Sequence, residues 1–165
     1  MILRDYAETD GPGTLDVFLR AIRQTAARDY SPEQVAAWAS DDIDPEQWAA
    51  RRRAARTQVA EADERVVGFT DVDERGYVDM LFVDPAYARQ GVATALMDWA
   101  VTTAARLGAA ELSTHASLTA RPFFEAHGFA VVVEQHPVLR GVVMTNFVMR
   151  RNLSTNRPIA RGSTE

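Results

Sequence analysis

Residues 83–100 read VDPAYARQGVATALMDWA, and this segment restricts the fold more than any other. A short apolar run ends at Val83, a loop with a proline follows, and Gly91 precedes a segment whose apolar residues recur every three or four positions, as in an amphipathic helix. The first turn of a helix leaves backbone N–H groups unpaired and carries partial positive charge, so small residues there let an anion approach the backbone. The segment therefore predicts a strand, a tight phosphate-binding turn and a helix.

The sequence lacks the two most familiar phosphate-binding motifs. It contains neither G-x-x-x-x-G-K-[ST] nor G-x-G-x-x-G, which removes the main support for a nucleoside triphosphate site or a dinucleotide site. The remaining design is a nest of backbone amides, because oriented N–H groups and the helix dipole favour an anion without a lysine. We expect this nest to be formed by Arg89, Gly91, Ala93 and Thr94.

The N-terminal third of the chain is mainly helical in pattern. The opening residues ILRDY indicate a short strand, and Gly11-Pro12-Gly13 is expected to separate it from the first helix. Two similar helix starts follow, SPEQ at residues 31–34 and DPEQ at residues 44–47. Each offers a capping side chain and a proline at the first helical position, so we expect a short helix after each.

The remainder alternates between strands and helices. From Thr57 the segments TQVAEA, RVVGFTDV and GYVDMLFV read as an antiparallel meander, and the Gly91 helix, a fifth strand, a helix ending at Gly128 and two final strands follow. This order predicts one mixed α/β domain over residues 1–151. Residues 152–165 are polar and are predicted to form a disordered tail.

Composition limits the classes of partner. The 165 residues include no cysteine, which excludes disulfides and a thiol nucleophile, and the net charge of −5 argues against broad capture of nucleic acid. The basic run Arg51-Arg52-Arg53 is interpreted as a solvated helical face rather than a nucleic-acid patch. No window approaches the roughly 20 apolar residues that span a bilayer, and the first ten residues lack a signal pattern. We expect a cytoplasmic protein with no membrane partner.

Two motifs together carry a family resemblance. LFVDPAYARQGVATALM, followed by a strand and then ARPFFEAHGF, resembles the GNAT superfamily of acetyl-CoA-dependent N-acetyltransferases. In that family the pyrophosphate turn reads [QR]-x-x-G-x-[GA], which Gly91 and Ala93 match. A later family segment reads N-x-x-A-x-x-x-Y-x-x-x-G-F, which Ala120, Gly128 and Phe129 match. ARDYSPEQVAAWAS and TNFVM are also similar to a bacterial subgroup of small GNAT proteins related to YafP.

The resemblance covers about residues 1–150 and implies an α/β (α+β) fold of the GNAT acyl-CoA N-acyltransferase type. Its central sheet is expected to be mixed, mostly antiparallel, with about seven strands flanked by helices. The sequence departs from the family pattern at three positions. Ala88 stands at the first position of the turn, Ser117 stands where the family often has Asn, and Phe124 stands where many members have a Tyr that protonates the leaving thiolate. Phe124 cannot donate a proton, so that role is not transferred to it.

The resemblance also implies acetyl-CoA as co-substrate and no metal. In the family the strand before the phosphate turn splays from its neighbour and pairs with the pantetheine. The resemblance therefore implies that a backbone N–H near Leu81 polarises the thioester carbonyl. The alternative is that residues 80–83 are simply a buried strand. The residues expected to contact the cofactor are Leu81, Phe82, Val83, Arg89, Gln90, Gly91, Val92, Ala93, Thr94, Ser117, Arg121 and Phe124.

Three residues are candidates for proton transfer. Asp79 interrupts an apolar strand pattern and could act as base or hold the substrate ammonium, although a solvated aspartate fits equally well. His115 could relay a proton or be structural, and Tyr77 is a proton donor for the thiolate. Tyr30 and Trp38 lie in the helical region that covers the acceptor pocket in the family. They are candidate substrate contacts, and core packing explains them equally well.

The function that these patterns support is N-acetylation of a primary amine by direct attack in a ternary complex. The acceptor is expected to be a small molecule or a peptide. Two other classes fit: a non-catalytic acyl-CoA-binding or sensing module, which Phe124 makes credible, and a protein-interaction domain that keeps only the fold. Family members often dimerise through the last strands, and GVVMTNFVM is apolar enough to form a homodimer interface or a core strand.

Overall fold

Short strands and helices alternate along the backbone, and the computed structural model describes residues 1–153. The strands are β1 (Ile2–Asp5), β2 (Gln58–Ala62), β3 (Arg65–Thr70), β4 (Tyr77–Val78), β5 (Leu81–Val83), β6 (Glu111–Ser117), β7 (Ala130–Gln135), β8 (Val138–Leu139), β9 (Val142–Val143) and β10 (Asn146–Asn152). The helices are α1 (Gly11–Arg20), α2 (Pro32–Trp38), α3 (Pro45–Ala54), α4 (Val92–Arg106) and α5 (Arg121–Ala126).

Capping side chains begin α2 and α3 as the sequence predicts. The hydroxyl of Ser31 accepts the Gln34 N–H (3.1 Å), and the Gln34 side chain accepts the Ser31 N–H (2.9 Å). The carboxylate of Asp44 accepts the Glu46 N–H (2.9 Å) at the start of α3. The expectation for Gly11-Pro12-Gly13 was wrong, because these residues form the first turn of α1, where the N–H that proline lacks has no helical partner to lose.

The strands form two four-stranded half-sheets instead of one continuous sheet. The first has the order β1-β2-β3-β5 and is antiparallel, and the second has the order β4-β6-β10-β7 with one parallel pair, β4 with β6. The expected single strand GYVDMLFV is therefore divided into β4 and β5, which belong to different half-sheets. The expected strand GVVMTNFVM is also divided, because β9 pairs with β8 in a hairpin and β10 pairs with β6 and β7.

Helices cover both faces of the divided sheet. Helices α1 and α3 pack on one face of the first half-sheet around an aromatic cluster of Phe18, Trp48, Phe69 and Phe82. Helix α4 packs on the opposite face of β3, where the fully buried Leu96 lies in an apolar cluster with residues of β2 and β3. This arrangement places the start of α4 beside the end of β5, at the point where the two half-sheets separate.

The last described residues lie just past residue 151, the expected end of the domain. Strand β10 runs to Asn152, and the N–H of Leu153 donates to the carbonyl of Ala110 (3.0 Å). The rest of the predicted disordered tail, residues 154–165, lies outside the described residues. Among residues 1–153, no helix is both long enough and apolar enough to cross a membrane.

Candidate active site

The divided strand creates a slot between the half-sheets. Tyr77 and Val78 pair in parallel with β6, and three residues later Leu81 pairs with Thr70 of β3 instead. Within the described part of the chain, strand β5 therefore has a neighbour on its β3 side and none on the side that faces β6. This is the divergence that the family resemblance implies for the strand before the phosphate turn.

Backbone groups of β5 point into this slot. The carbonyl of Met80 accepts the Asp71 N–H (3.3 Å) and the N–H of Asp84 donates to the carbonyl of Val67 (2.8 Å), so both residues direct their backbone toward β3. Backbone groups alternate in direction along a strand. The N–H groups of Leu81 and Val83 consequently lie on the open edge, where a bound molecule can pair with them as another strand would.

A strained turn joins this slot to α4. Arg89 and Gly91 both have left-handed backbone conformations, with φ of 60° and 82°. The first hydrogen bond of the helix runs from the Ala95 N–H to the Gly91 carbonyl (3.0 Å), which leaves the N–H groups of residues 92–94 outside the helical ladder. These groups and the partial positive charge of a 15-residue helix make the turn a candidate anion-binding nest.

A buried carboxylate fixes the approach to the turn. Asp84 follows β5 directly, has no solvent exposure, and accepts the Ala86 N–H (2.9 Å). Its other oxygen lies 2.8 Å from Arg20 and 3.0 Å from Arg65. Because a buried carboxylate requires partners, these contacts hold the chain between β5 and the turn in one position.

The slot is part of a cavity of about 1080 Å³. It extends from the start of α4, along β5, to α3 and the aromatic residues beneath α1 and α2. Fifteen of the seventeen residues predicted for the site line it: Tyr30, Trp38, Tyr77, Asp79, Leu81, Phe82, Val83, Arg89, Gly91, Val92, Ala93, Thr94, His115, Ser117 and Phe124.

The other two predicted residues lie beside the cavity without lining it. The side chain of Gln90 donates to the carbonyl of Ala86 (3.4 Å). The guanidinium of Arg121 pairs with Glu125 and lies 4.6 Å from the ring centre of Phe147. Both side chains are thus held by neighbours in this structure, and their contact with a cofactor phosphate stays a prediction.

The three candidates for proton transfer cluster where β4 meets β6. Asp79 is exposed at the break between β4 and β5, and the rings of Tyr77 and His115 meet edge to face with centres 5.5 Å apart. Burial, and then the negative charge of Asp79, raise the pKa of Tyr77 above its usual value of 10. The Tyr77 hydroxyl therefore stays protonated at neutral pH.

Tyr30 and Trp38 form part of the aromatic wall at the other end of the cavity. The hydroxyl of Tyr30 donates to the Thr145 carbonyl (2.6 Å) and accepts the Leu118 N–H (2.9 Å), and burial raises its pKa. The ring of Trp38 lies 5.4 Å from that of Tyr30 and 6.3 Å from that of Phe82, between centres. Tyr30 thus connects the N-terminal helices to the ends of β6 and β10, and its ring remains part of the cavity wall.

The departures from the family pattern have clear structural places. Phe124 is only 3% exposed and packs between the rings of Phe123 and Phe129, so it belongs to the core beneath the slot. The hydroxyl of Ser117 accepts the Ala120 N–H (3.0 Å) and fixes the turn that leads into α5. The side chain of Phe124 therefore supplies no proton donor to the slot.

One sequence interpretation was wrong for a residue that matters here. Arg52, assigned to a solvated helical face, is buried and lies 3.2 Å from the carboxylate of Asp71, which is also buried. Loss of hydration raises the pKa of Asp71 to about 6, since burial outweighs the hydrogen bonds and the positive charge that favour its ionised form. A lone charge inside a basic run gives no local signal of burial, so only the tertiary contact reveals this pair.

Asn146 is a further cavity residue that the sequence analysis missed. It pairs with Ser117 across β10 and β6, and its side-chain oxygen is buried without a hydrogen-bond partner within residues 1–153. The segment that contains it, GVVMTNFVM, is predicted from the sequence as a strand, with no role for Asn146 in the site. The end of the cavity nearest α3 also carries charges of both signs, from Asp42, Asp44 and Arg51. Among the described residues, no three His, Asp or Glu side chains lie close enough to hold a metal ion.

Comparison with known proteins assigns the family. The family model described as acetyltransferase (GNAT) domain matches residues 26–151. The chain is 40% identical to the uncharacterized N-acetyltransferase YafP of Escherichia coli K12 over 148 residues, covering 90% of this chain and 93% of that protein. This match bears out the resemblance to the YafP-related subgroup.

Solved structures agree in fold. The crystal structure of a GCN5-related N-acetyltransferase from Rhodopseudomonas palustris superposes with a TM-score of 0.88 at 33% identity, covering 92% of this chain and 94% of that one. The structure of yncA, a putative acetyltransferase from Salmonella typhimurium with its cofactor acetyl-CoA, superposes with a TM-score of 0.70 at 18% identity over 96% of each chain. The predicted α/β fold is confirmed, and the chain belongs to the GNAT family of acetyltransferases.

Proposed function

We propose that this acetyltransferase moves the acetyl group of acetyl-CoA to a primary amine, which attacks directly while both substrates are bound. The observation that carries the proposal is the continuity of the cavity. The cavity runs from the turn before α4, along the open edge of β5 and past Asp79, to Trp48 on α3 and Asp44 just before it. With no cysteine in the chain, transfer through an acetylated thiol is excluded.

The residues present fit a coenzyme A thioester. Within residues 1–153, nothing beyond Gly91 and its chain neighbours lies within 4 Å of the position that a Cβ of Gly91 would occupy, so a pyrophosphate has space against the amides of residues 91–94. The open-edge N–H groups of Leu81 and Val83 suit the amides of a pantetheine arm and the carbonyl of a thioester. Acetyl-CoA supplies an activated acetyl group, and the acetyl-CoA complex of the Salmonella typhimurium neighbour supports this use of the fold.

Proton transfer falls to Asp79 and Tyr77 in this proposal. The exposed carboxylate of Asp79 lies beside the open edge, where it can hold a substrate ammonium and accept its proton before attack. Tyr77 keeps its hydroxyl proton at neutral pH, so that proton is available to the departing thiolate. His115, edge to face with Tyr77, is positioned to exchange protons with solvent.

A second candidate is a non-catalytic acyl-CoA-binding module. It is favoured by Phe124, which replaces the usual tyrosine donor with a core side chain. The two candidates differ in their dependence on Tyr77 and Asp79, since a binding module does not need either residue to move a proton.

Calorimetric titration with acetyl-CoA, and with NAD and ATP as controls, tests the binding step. We expect binding of acetyl-CoA alone, and no binding would contradict both candidates. A panel of primary amines, followed by release of free thiol, then tests transfer. For an accepted amine we expect Tyr77→Phe and Asp79→Asn each to lower kcat by about 10²–10⁴-fold, the usual contribution of a positioned acid or base. Thiol release that both variants leave unchanged would refute their assigned roles.

A further inference from the structure

We propose that Asp71 is a positioning residue, which holds the break between β4 and β5 so that Leu81 and Val83 keep their N–H groups turned into the slot. The inference rests on the proposed use of these groups to bind acetyl-CoA. Asp71 does not itself line the cavity, so it acts through the strand and not through contact with a substrate.

The side chain of Asp71 replaces a missing backbone partner. One carboxylate oxygen accepts the Asp79 N–H (2.9 Å) and the Met80 N–H (3.4 Å), while the N–H of Asp71 donates to the Met80 carbonyl (3.3 Å). The hydroxyl of Thr70 donates to the same carbonyl (2.7 Å). The two residues between β4 and β5 are therefore held by Asp71 and its neighbour and not by a regular ladder.

This arrangement sets the direction of β5. Regular pairing of β3 with β5 ends at Thr70 and Leu81, and the last residue of β4 that pairs with β6 is Val78. Without an acceptor between them, the part-buried N–H groups of Asp79 and Met80 would lose their partners, and a backbone N–H shielded from water without a partner is costly. The chain would relieve that cost by rotating the peptides of residues 79–81, which would turn Leu81 away from the slot.

Arg52 fixes the carboxylate from the opposite side. Its guanidinium lies 3.2 Å from the second oxygen of Asp71 and 4.9 Å from the ring centre of Trp48, and both charged side chains are buried. Helix α3, which carries Arg52 and Trp48, also lines the acceptor end of the cavity. The same ion pair thus connects the wall of the acceptor pocket to the strand that we propose binds the thioester.

The test compares two buried carboxylates with similar partners. Asp10 accepts the Ala7 N–H (2.7 Å) and pairs with Arg4 (2.7 Å), but it does not line the cavity or contact residues 77–84. Asp71→Ala and Asp10→Ala should both lower the melting temperature. We expect only Asp71→Ala to raise the calorimetric Kd for acetyl-CoA, by about tenfold or more, while Asp10→Ala leaves it within about twofold. Equal Kd values for the two folded variants would overturn the proposal.

A second pair of variants separates the loss of the acceptor from the cost of an unpaired buried charge. Both variants carry Arg52→Met, so neither double variant buries an unpaired charge. Asp71→Asn keeps an oxygen that can accept the two N–H groups, whereas Asp71→Leu has a similar shape and cannot accept them. We expect the Leu form to bind acetyl-CoA about tenfold more weakly than the Asn form. Equal affinities would show that packing alone sets the strand.

Amide hydrogen exchange separates this inference from the proposed function. We expect Asp71→Ala to accelerate exchange over residues 79–83 well beyond any change that Asp10→Ala causes there. If the unmodified protein fails to bind acetyl-CoA, the proposed function is wrong, and accelerated exchange would still support Asp71 as the group that holds the strand. Unchanged exchange over residues 79–83 would overturn the positioning role whatever the protein binds.

Discussion

The substitution Gly91→Ala tests the phosphate-binding turn, and Gly108→Ala is its matched control. The two glycines flank α4 and have φ of 82° and 89°. Beyond each glycine and its immediate chain neighbours, no described residue has an atom within 4 Å of where the Cβ would be. A left-handed conformation costs a residue with a Cβ about 1–2 kcal/mol, so both substitutions should reduce the free energy of unfolding by that amount. Each kcal/mol lowers Tm by about 2–4 °C in a protein of this size. Stability alone therefore cannot distinguish them.

Affinity for acetyl-CoA should distinguish them sharply. Gly91 lines the cavity and Gly108 does not, so in the proposed binding mode only the Cβ at residue 91 would occupy space that a pyrophosphate needs. Displacing the anion from one backbone N–H loses a charge-assisted hydrogen bond of about 2 kcal/mol, which raises Kd about thirtyfold. Calorimetry at 25 °C measures both variants in their folded state. If their Kd values agree within twofold, the nest before α4 does not bind the cofactor.

Three further predictions concern stability. Asp84→Ala removes the buried partner of two arginines and should lower the free energy of unfolding, measured in denaturant, by about 3 kcal/mol. Its control, Asp16→Ala, removes only an exposed contact to Arg20 (3.8 Å) and should lower it by less than about 0.5 kcal/mol. Tyr30→Phe should lower the free energy of unfolding by roughly 1–3 kcal/mol, because the Leu118 N–H and the Thr145 carbonyl lose the hydroxyl that pairs with both. The pKa of Asp71 is about 6 in the folded protein, compared with an ordinary value of 3.8. Because the folded state holds this proton more tightly, the stability that protonated Asp71 contributes is present below about pH 4 and is lost as pH rises through 6. Relative to Asp71→Asn, the unfolding free energy should fall by about 3 kcal/mol over that range; a flat difference would contradict the raised pKa.

Local signals in the sequence are sufficient for much of the fold. The caps at Ser31 and Asp44, the glycine before α4 and the strands after Thr57 depend on residues within a few positions of each other. The turn at Gly91 is also predictable locally, because the glycine with positive φ and the apolar residues of the amphipathic helix follow one another directly in the sequence. Most of the expected cavity lining follows once this turn and its preceding strand are located.

The division of the sheet could not be predicted in this way. GYVDMLFV has the pattern of one strand, and it is broken by a carboxylate that lies eight residues earlier in the chain, at Asp71. The burial of Arg52 depends on the same distant contact, so the basic run around it gave a misleading pattern. Asn146 likewise becomes a cavity residue only because β10 lies beside β6. In each case the deciding partner is brought close by the tertiary fold.

Two buried carboxylates flank β5, and the free energy that their burial costs indicates that the strand has a functional requirement. Asp71 holds the backbone before Leu81, and Asp84 holds the backbone after Val83. Burying an ion pair is seldom the most stable solution, since apolar residues of similar size often pack as well or better. A second neighbouring strand would satisfy the backbone of β5 more cheaply, but it would also occupy the N–H groups that face the slot. A strand whose edge must stay open and still keep a fixed direction has to be held at its two ends, and side-chain acceptors at those ends meet both conditions.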